Sequence, residues 1–189
     1  MAQILTPSQT VGPFYALGTT WLHGTDLAAH ATTGERITIT GILTDGDGKP
    51  IPDAFLEVWQ ANAHGKYAHP DDPQDKPIDA GFSGFGRVPT DQDGRFRFTT
   101  IKPGAVPGLG NSLQAPHILV ALFMRGMLRH AYTRIYFSDE AGNAADPVLG
   151  LIEDAARRRT LVAERVAGKP EYRWDVSMQG AHETVFFDA

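Results

Sequence analysis

The sequence contains no cysteine, so no disulfide can support the fold and no thiolate can serve as nucleophile or metal ligand. No lysine or arginine precedes Arg36, which removes the basic start of a secretory leader. Long hydrophobic runs are also missing. The most apolar stretch, Ile118 to Met124, falls far short of the ~20 residues that a membrane-spanning helix needs. Charge of either sign is dispersed: 17 lysines and arginines against 22 acids give a net charge of −5 without blocks. That balance argues against nucleic acid, whose phosphates call for a net basic face. A soluble cytoplasmic protein is expected.

What the sequence does contain is turn chemistry between short β-prone runs. Glycine (20) and proline (13) are plentiful in the 189 residues, as expected where many turns join strands. Residues 1–35 show neither helical nor strand periodicity and read as an extended arm. Ile37 to Leu43 alternates β-branched and smaller residues and predicts a strand. Further strands are expected over Ala54–Gln60, Arg95–Ile101, His117–Arg125, His130–Phe137, Thr160–Ala167, Tyr172–Met178 and Thr184–Phe187. The run from His117 is nearly all apolar, the pattern of a strand buried on both faces. Asp146-Pro147 predicts one short helix over Val148–Ala156, with proline at the favoured first position. Asn62–Pro89 is long, polar and rich in glycine and proline; such loops are either functional or covered by a partner. The fold class is therefore all-β: a β-sandwich with long loops, an extended arm and one short helix. The chain reads as a single domain over 1–189, with its sandwich core over 36–189.

Several ligand-like clusters have plain readings. Asp45-x-Asp47 and Asp91-x-Asp93 lack the glycine and the later ligands of a calcium loop and read as turns. His64, His69, Asp71, Asp72 and Asp75 share no strand or helix spacing and read as a solvated loop. Arg157 to Arg159 reads as a solvated surface. Trp21, Trp59 and Trp174 need only fill a core or an interface. His117 and Tyr67 taken alone would be a hydrogen-bonded core histidine and a packed loop tyrosine.

A train of separate motifs is more specific. Glu57-Val-Trp-Gln-Ala-Asn-Ala-His-Gly-Lys-Tyr67 is followed by Phe85-Gly-Arg87, Thr90-Asp-Gln-Asp-Gly94, Thr100-Ile-Lys-Pro-Gly104 and Pro116-His-Ile118. In order and spacing these resemble the intradiol ring-cleaving dioxygenases. Members of that family hold one ferric ion through two tyrosines and two histidines, the histidines as His-x-His on a strand. Residues i and i+2 share a strand face, so both imidazoles reach one ion. Matched by position, Tyr67 and His117 fill two ligand places. Val106 and Leu119 stand in the other two, and Gln114 falls where the iron-bearing chains have an arginine. Two donors are too few for a stable all-protein iron site, so no metal is expected in this chain.

The resemblance implies the iron-free member of a two-chain enzyme. The arm Thr6-Pro-Ser-Gln-Thr-Val-Gly-Pro13, the Arg157-Arg158-Arg159-Thr-Leu segment and the tail from Gln179 to Asp188 all look like that chain type. Fe(3+) would be held by a homologous β chain, and α–β pairs would build a larger assembly. Thr10, Gly12 and Pro13 would line the shared pocket, and Arg134 would lend positive charge to the bound aromatic acid, 3,4-dihydroxybenzoate. O₂ would then open its ring between the hydroxyl-bearing carbons. The alternatives are an active homodimeric catechol-type enzyme, which Val106 and Leu119 oppose, a transthyretin-like or carbohydrate-binding sandwich, and a purely structural paralogue.

Overall fold

The computed structural model describes residues 5–188; residues 1–4 of the expected arm, and Ala189, lie outside them. Among the described residues eleven strands form: β1 Arg36–Thr44, β2 Phe55–Gln60, β3 Phe85–Pro89, β4 Arg95–Ile101, β5 Val106–Pro107, β6 Leu113–Gln114, β7 His117–Phe123, β8 Ala131–Phe137, β9 Val162–Arg165, β10 Glu171–Arg173 and β11 Val176–Ser177. One sheet runs β3–β2–β7–β8, antiparallel throughout. The other holds β4 antiparallel to β1, with β10 and β11 parallel to β1 on its opposite edge. β9 belongs to both: Val162 and Ala163 pair with β8, while Glu164 and Arg165 pair with β10. The expected sandwich is thus closed along one side by a single shared strand.

Alternation explains the core. Ile37, Ile39 and Leu43 of β1 point inward against Leu56 and Val58 of β2, Ile118, Val120 and Leu122 of β7, and Ile135 and Phe137 of β8. Gly41 falls in the same inward series. A Cβ there would lie 1.9 Å from the Trp174 carbonyl oxygen and 2.5 Å from the Phe96 ring, so only glycine lets these groups approach. Leu27 and Ala28, within the stretch read as an arm, join the core because Thr25 and Leu27 exchange backbone hydrogen bonds with Thr99 of β4.

Several elements differ from expectation. β7 is not buried on both faces. Ile118, Val120 and Leu122 are buried, whereas Leu119, Ala121 and Phe123 are only half covered, because little besides the arm packs on that outer face. The single helix expected over Val148–Ala156 is replaced by a 3₁₀ turn at Leu149–Leu151 and a helix, α2, at Ala155–Arg159. The reason is capping: Asp146 accepts from the amides of Val148 and Leu149, and Asp154 then caps a separate start. Thr184–Phe187 makes only an isolated bridge, Tyr132 to Phe187. β3 emerges from the stretch read as a loop, and the β5–β6 hairpin lies between expected strands. A second helix, α1 (Pro13–Gly18), opens at Pro13 after Gly12 takes a left-handed φ of 68°. Its Tyr15 ring stacks on Phe55 at 4.8 Å, and Phe55 on Phe123 at 5.2 Å, fastening the arm to one end of the outer face. No helix among the described residues is long and apolar enough to cross a membrane.

Gly41→Ala is expected to lower stability by about 1–3 kcal/mol, the usual cost of forcing a methyl into a packed core. A denaturant midpoint equal to that of the parent chain would contradict the packing described.

Candidate functional site

The opposite end of the outer face collects the residues that the motifs single out. Register across β2, β7 and β8 sets Trp59, Leu119 and Arg134 in one row and His117 beside Tyr136 in the next. A loop carrying Tyr67 folds over this corner, its ring 4.9 Å from Trp59. Trp59, Tyr67, His69, Val106 and Pro107 border a cavity of about 320 Å³.

The motifs explain how that loop is held. Gly65 has φ 73°, and a Cβ there would lie 2.0 Å from the Ala105 carbonyl oxygen. Gly104 meets the same limit from the other side, 2.5 Å from the Ala63 carbonyl oxygen. The glycines of the first and fourth motifs therefore let two loops touch backbone to backbone. Buried Gln60 ties the strand to its neighbours, accepting from the Thr100 hydroxyl at 2.7 Å and donating to the Ile101 carbonyl at 2.8 Å. Glu57 pairs with Arg87, linking the first motif to the second.

A buried ion pair fixes Tyr67 itself. The Lys66 ammonium donates to the carbonyls of Asp72 and Gln74 and lies 3.3 Å from the Asp72 carboxylate; both side chains are under a tenth exposed. The other Asp72 oxygen accepts from the Tyr67 amide at 2.8 Å. Asp72 is thus a buried organiser, which corrects the solvated-loop reading at that position. Burial would raise its carboxyl, but hydrogen bonds from Gln74, Tyr67 and Lys66 outweigh it and hold the group down at about 2. The Asp45 and Asp91 segments are turns, each carboxylate accepting from amides two and four residues on.

Two side chains that organise this corner, Asp146 and Tyr136, were not singled out from sequence. Asp146 is 2% exposed; it accepts from the Ala115 amide at 2.8 Å and from the Tyr136 hydroxyl at 3.1 Å. The same hydroxyl accepts from Arg134 Nη1 at 3.3 Å, and that nitrogen donates to Gln114 at 2.6 Å. The helix-start cue at Asp146-Pro147 marked the residue but not its partners. Burial pushes the Tyr136 phenol well above its ordinary range. Tyr67 is also raised by burial, with Arg134 opposing and Asp72 adding. His117 is driven down to about 4 by burial and by the Arg134 charge. It is therefore a neutral imidazole at pH 7, its Nδ1 2.8 Å from the Ala115 carbonyl oxygen.

The donor set does not fit ferric iron. Tyr67 and His117 could each give one atom, but Val106 and Leu119 give none, and a guanidinium stands among them. Among the described residues no cluster of three or more histidine, cysteine, aspartate or glutamate side chains could hold a metal. The predicted pocket residues separate into two groups. Arg134 belongs to this corner. Thr10 accepts from the Gly126 amide at 2.8 Å, beyond the far end of β7, with Gly12 and Pro13 at the start of α1. About 13 Å of strand separates Leu119 from Phe123 alone, at about 3.3 Å per residue. Within one chain the four residues do not converge.

The dioxygenase family profile matches residues 11–180. The chain belongs to the intradiol dioxygenase family. It is 48% identical over 198 residues to the protocatechuate 3,4-dioxygenase alpha chain of Burkholderia cepacia, covering 97% of this chain and 96% of that one. It is 39% identical over 158 residues to the beta chain from the same organism, covering 80% and 67%. An intradiol ring-cleavage dioxygenase from Tetranychus urticae superposes with a TM-score of 0.67 at 20% identity, covering 86% of this chain and 89% of that chain. That last likeness concerns the fold alone.

Within this intradiol dioxygenase scaffold, Asp72→Ala is expected to cost about 3–5 kcal/mol, because it leaves the Lys66 ammonium buried without its counter-charge. The charged carboxylate is favoured in the folded state, so its contribution is full above the ordinary carboxyl value of 3.8 and is lost as pH falls through about 2. Denaturation at pH 7 and at pH 2 checks both: the variant's deficit should shrink in acid, and a deficit equal at the two values would count against the pairing.

Proposed function

We propose that this chain is the iron-free α partner of a two-chain protocatechuate 3,4-dioxygenase. The pair cleaves 3,4-dihydroxybenzoate between its hydroxyl-bearing carbons, and both atoms of O₂ enter the product, 3-carboxy-cis,cis-muconate. Fe(3+) is held by the homologous β chain. The observation that carries this reading is the near full-length identity to an alpha chain, joined to a corner where two of four ligand positions are aliphatic and buried or half-buried.

Exposed apolar side chains support a required partner. Phe14 (81% exposed) and Trp21 (78% exposed) stand on the arm, and Trp59 and Phe85 rise from the uncovered sheet face. Apolar surface of this kind marks an interaction site in a folded protein. The arm's Thr10, Gly12 and Pro13 would wall the pocket of the second chain. Arg134 spends Nη1 on Gln114 and Tyr136, while Nε and Nη2 make no hydrogen bond to the described residues. Those two nitrogens are available to an aromatic carboxylate, which a planar guanidinium orients well.

Arg134→Ala in the assembled α–β pair is expected to lower kcat/KM for protocatechuate by about 10- to 100-fold, mainly through KM. That range corresponds to losing one charge-assisted hydrogen bond of about 1.5–3 kcal/mol. Steady-state oxygen uptake reads it, and an unchanged kcat/KM would instead favour a scaffold role. The chain purified alone should be colourless and turn over no substrate; ring cleavage with stoichiometric iron would overturn the reading.

A further inference from the structure

We propose that the outer edge of β4 is a docking site for a short extended segment of a partner protein that carries acidic side chains. The inference is independent of the dioxygenase reading. It rests on a stretch of unpaired backbone and on the charge beside it.

β1 pairs one side of β4, and the other side is covered only at its two ends. At one end Thr99 turns its backbone groups away from β1, donating to the Thr25 carbonyl and accepting from the Leu27 amide, both at 2.8 Å. At the other, Arg95 accepts from the Asp91 amide at 2.9 Å and donates to the Asp91 carboxylate at 2.8 Å. Alternate residues of an antiparallel strand turn the same way, so Arg97, between them, also directs its amide and carbonyl outward. Neither meets a partner among the described residues. The opening spans about 13 Å from Arg95 to Thr99, at about 3.3 Å per residue, which is room for about three extended residues. A cavity of about 520 Å³ lies beside it, bordered by Thr25, Pro89, Asp91, Arg95, Arg97 and Arg173.

Charge then selects the occupant. Arg95 and Arg97 are exposed, share one face of β4 and make no ion pair among the described residues, unlike Arg36, Arg87 and Arg165. Arg173 stands across Thr40 in the same row as Arg97. The acids nearby are engaged. Asp91 accepts from the amides of Asp93 and Arg95, Asp175 holds Arg173 and the Ile42 amide, and Glu171 lies 3.5 Å from the Thr40 hydroxyl. Edge arginines discourage pairing with an apolar or basic strand, and the same charge favours an acidic one. Residues i and i+2 of an extended segment face the same way, so two carboxylates can meet Arg95 and Arg97 together. A free anion fits less well, because the unpaired Arg97 carbonyl repels it, whereas a peptide backbone offers both a donor and an acceptor.

The test titrates the isotope-labelled full-length chain with a terminally blocked Gly-Glu-Val-Glu-Gly peptide and follows backbone amides by NMR. The amides of Arg97 and its neighbours should shift, with a Kd on the order of 1 mM at low salt, the scale of a few exposed charge-assisted contacts. Arg95→Gln/Arg97→Gln should weaken binding about tenfold, whereas Arg158→Gln/Arg159→Gln, which removes two other arginines, should leave it unchanged. A peptide N-methylated at its three central residues, or one with lysine for glutamate, should also bind about tenfold more weakly. No shift at Arg97 with about 10 mM peptide overturns the proposal. So does equal binding of the N-methylated peptide, or of glutarate, a dianion without a backbone, since either outcome reduces the site to a patch of charge. The N-methylated arm uses the parent chain and so stands whether or not a variant folds.

Discussion

Arg134 holds one corner of the scaffold together without an ion pair among the described residues. Arg134 is fixed in its corner from two directions, by Gln114 on the β6 hairpin and by Tyr136 beside it on β8. Tyr136 is anchored in turn by Asp146, which also receives the Ala115 amide at the base of the hairpin. The chain Asp146–Tyr136–Arg134–Gln114 thus links the sheet to the β5–β6 hairpin. What a metal site gains in cross-linking, this chain obtains from hydrogen bonds around an organic cation.

Survival of Tyr67 and His117 follows from packing and needs no metal. His117 is 5% exposed, held through Nδ1 by the Ala115 carbonyl, with its ring 5.6 Å from Tyr136. Tyr67 fills space over Trp59, and the Lys66–Asp72 pair holds its backbone. Burial keeps the Tyr67 phenol protonated at neutral pH. The plain sequence readings of both residues, a hydrogen-bonded core histidine and a packed loop tyrosine, describe what these side chains do.

Some of this was readable in the sequence and some was not, for identifiable reasons. β1 was plain because Ile37, Ile39 and Leu43 share one face, and period-two patterning reports burial directly. β3 was hidden because Phe85-Gly-Arg-Val-Pro89 carries the two residues that usually signal a loop. Yet Gly86 is required there, since a Cβ would lie 2.7 Å from the Gly24 carbonyl oxygen. α1 was hidden by the same ambiguity, as Gly12-Pro13 marks a turn as readily as a helix start. That Val106 and Leu119 carry no donor atom is plain from the sequence. The pairing of Arg134 with Gln114 is not, because it depends on the β7–β8 register and on a hairpin with no periodic pattern of its own.

The two ends of the outer sheet face then have distinct physical characters. Near Phe123 the face is covered by this chain's own arm, whose Tyr15 ring stacks on Phe55 while Phe14 and Trp21 stay exposed. Near Leu119 it is open, flanked by Trp59 and a cation. A homologous chain would carry the same face with the same two ends. Phe14 and Trp21 at one end and Trp59 at the other are the apolar groups that such a chain would have to cover.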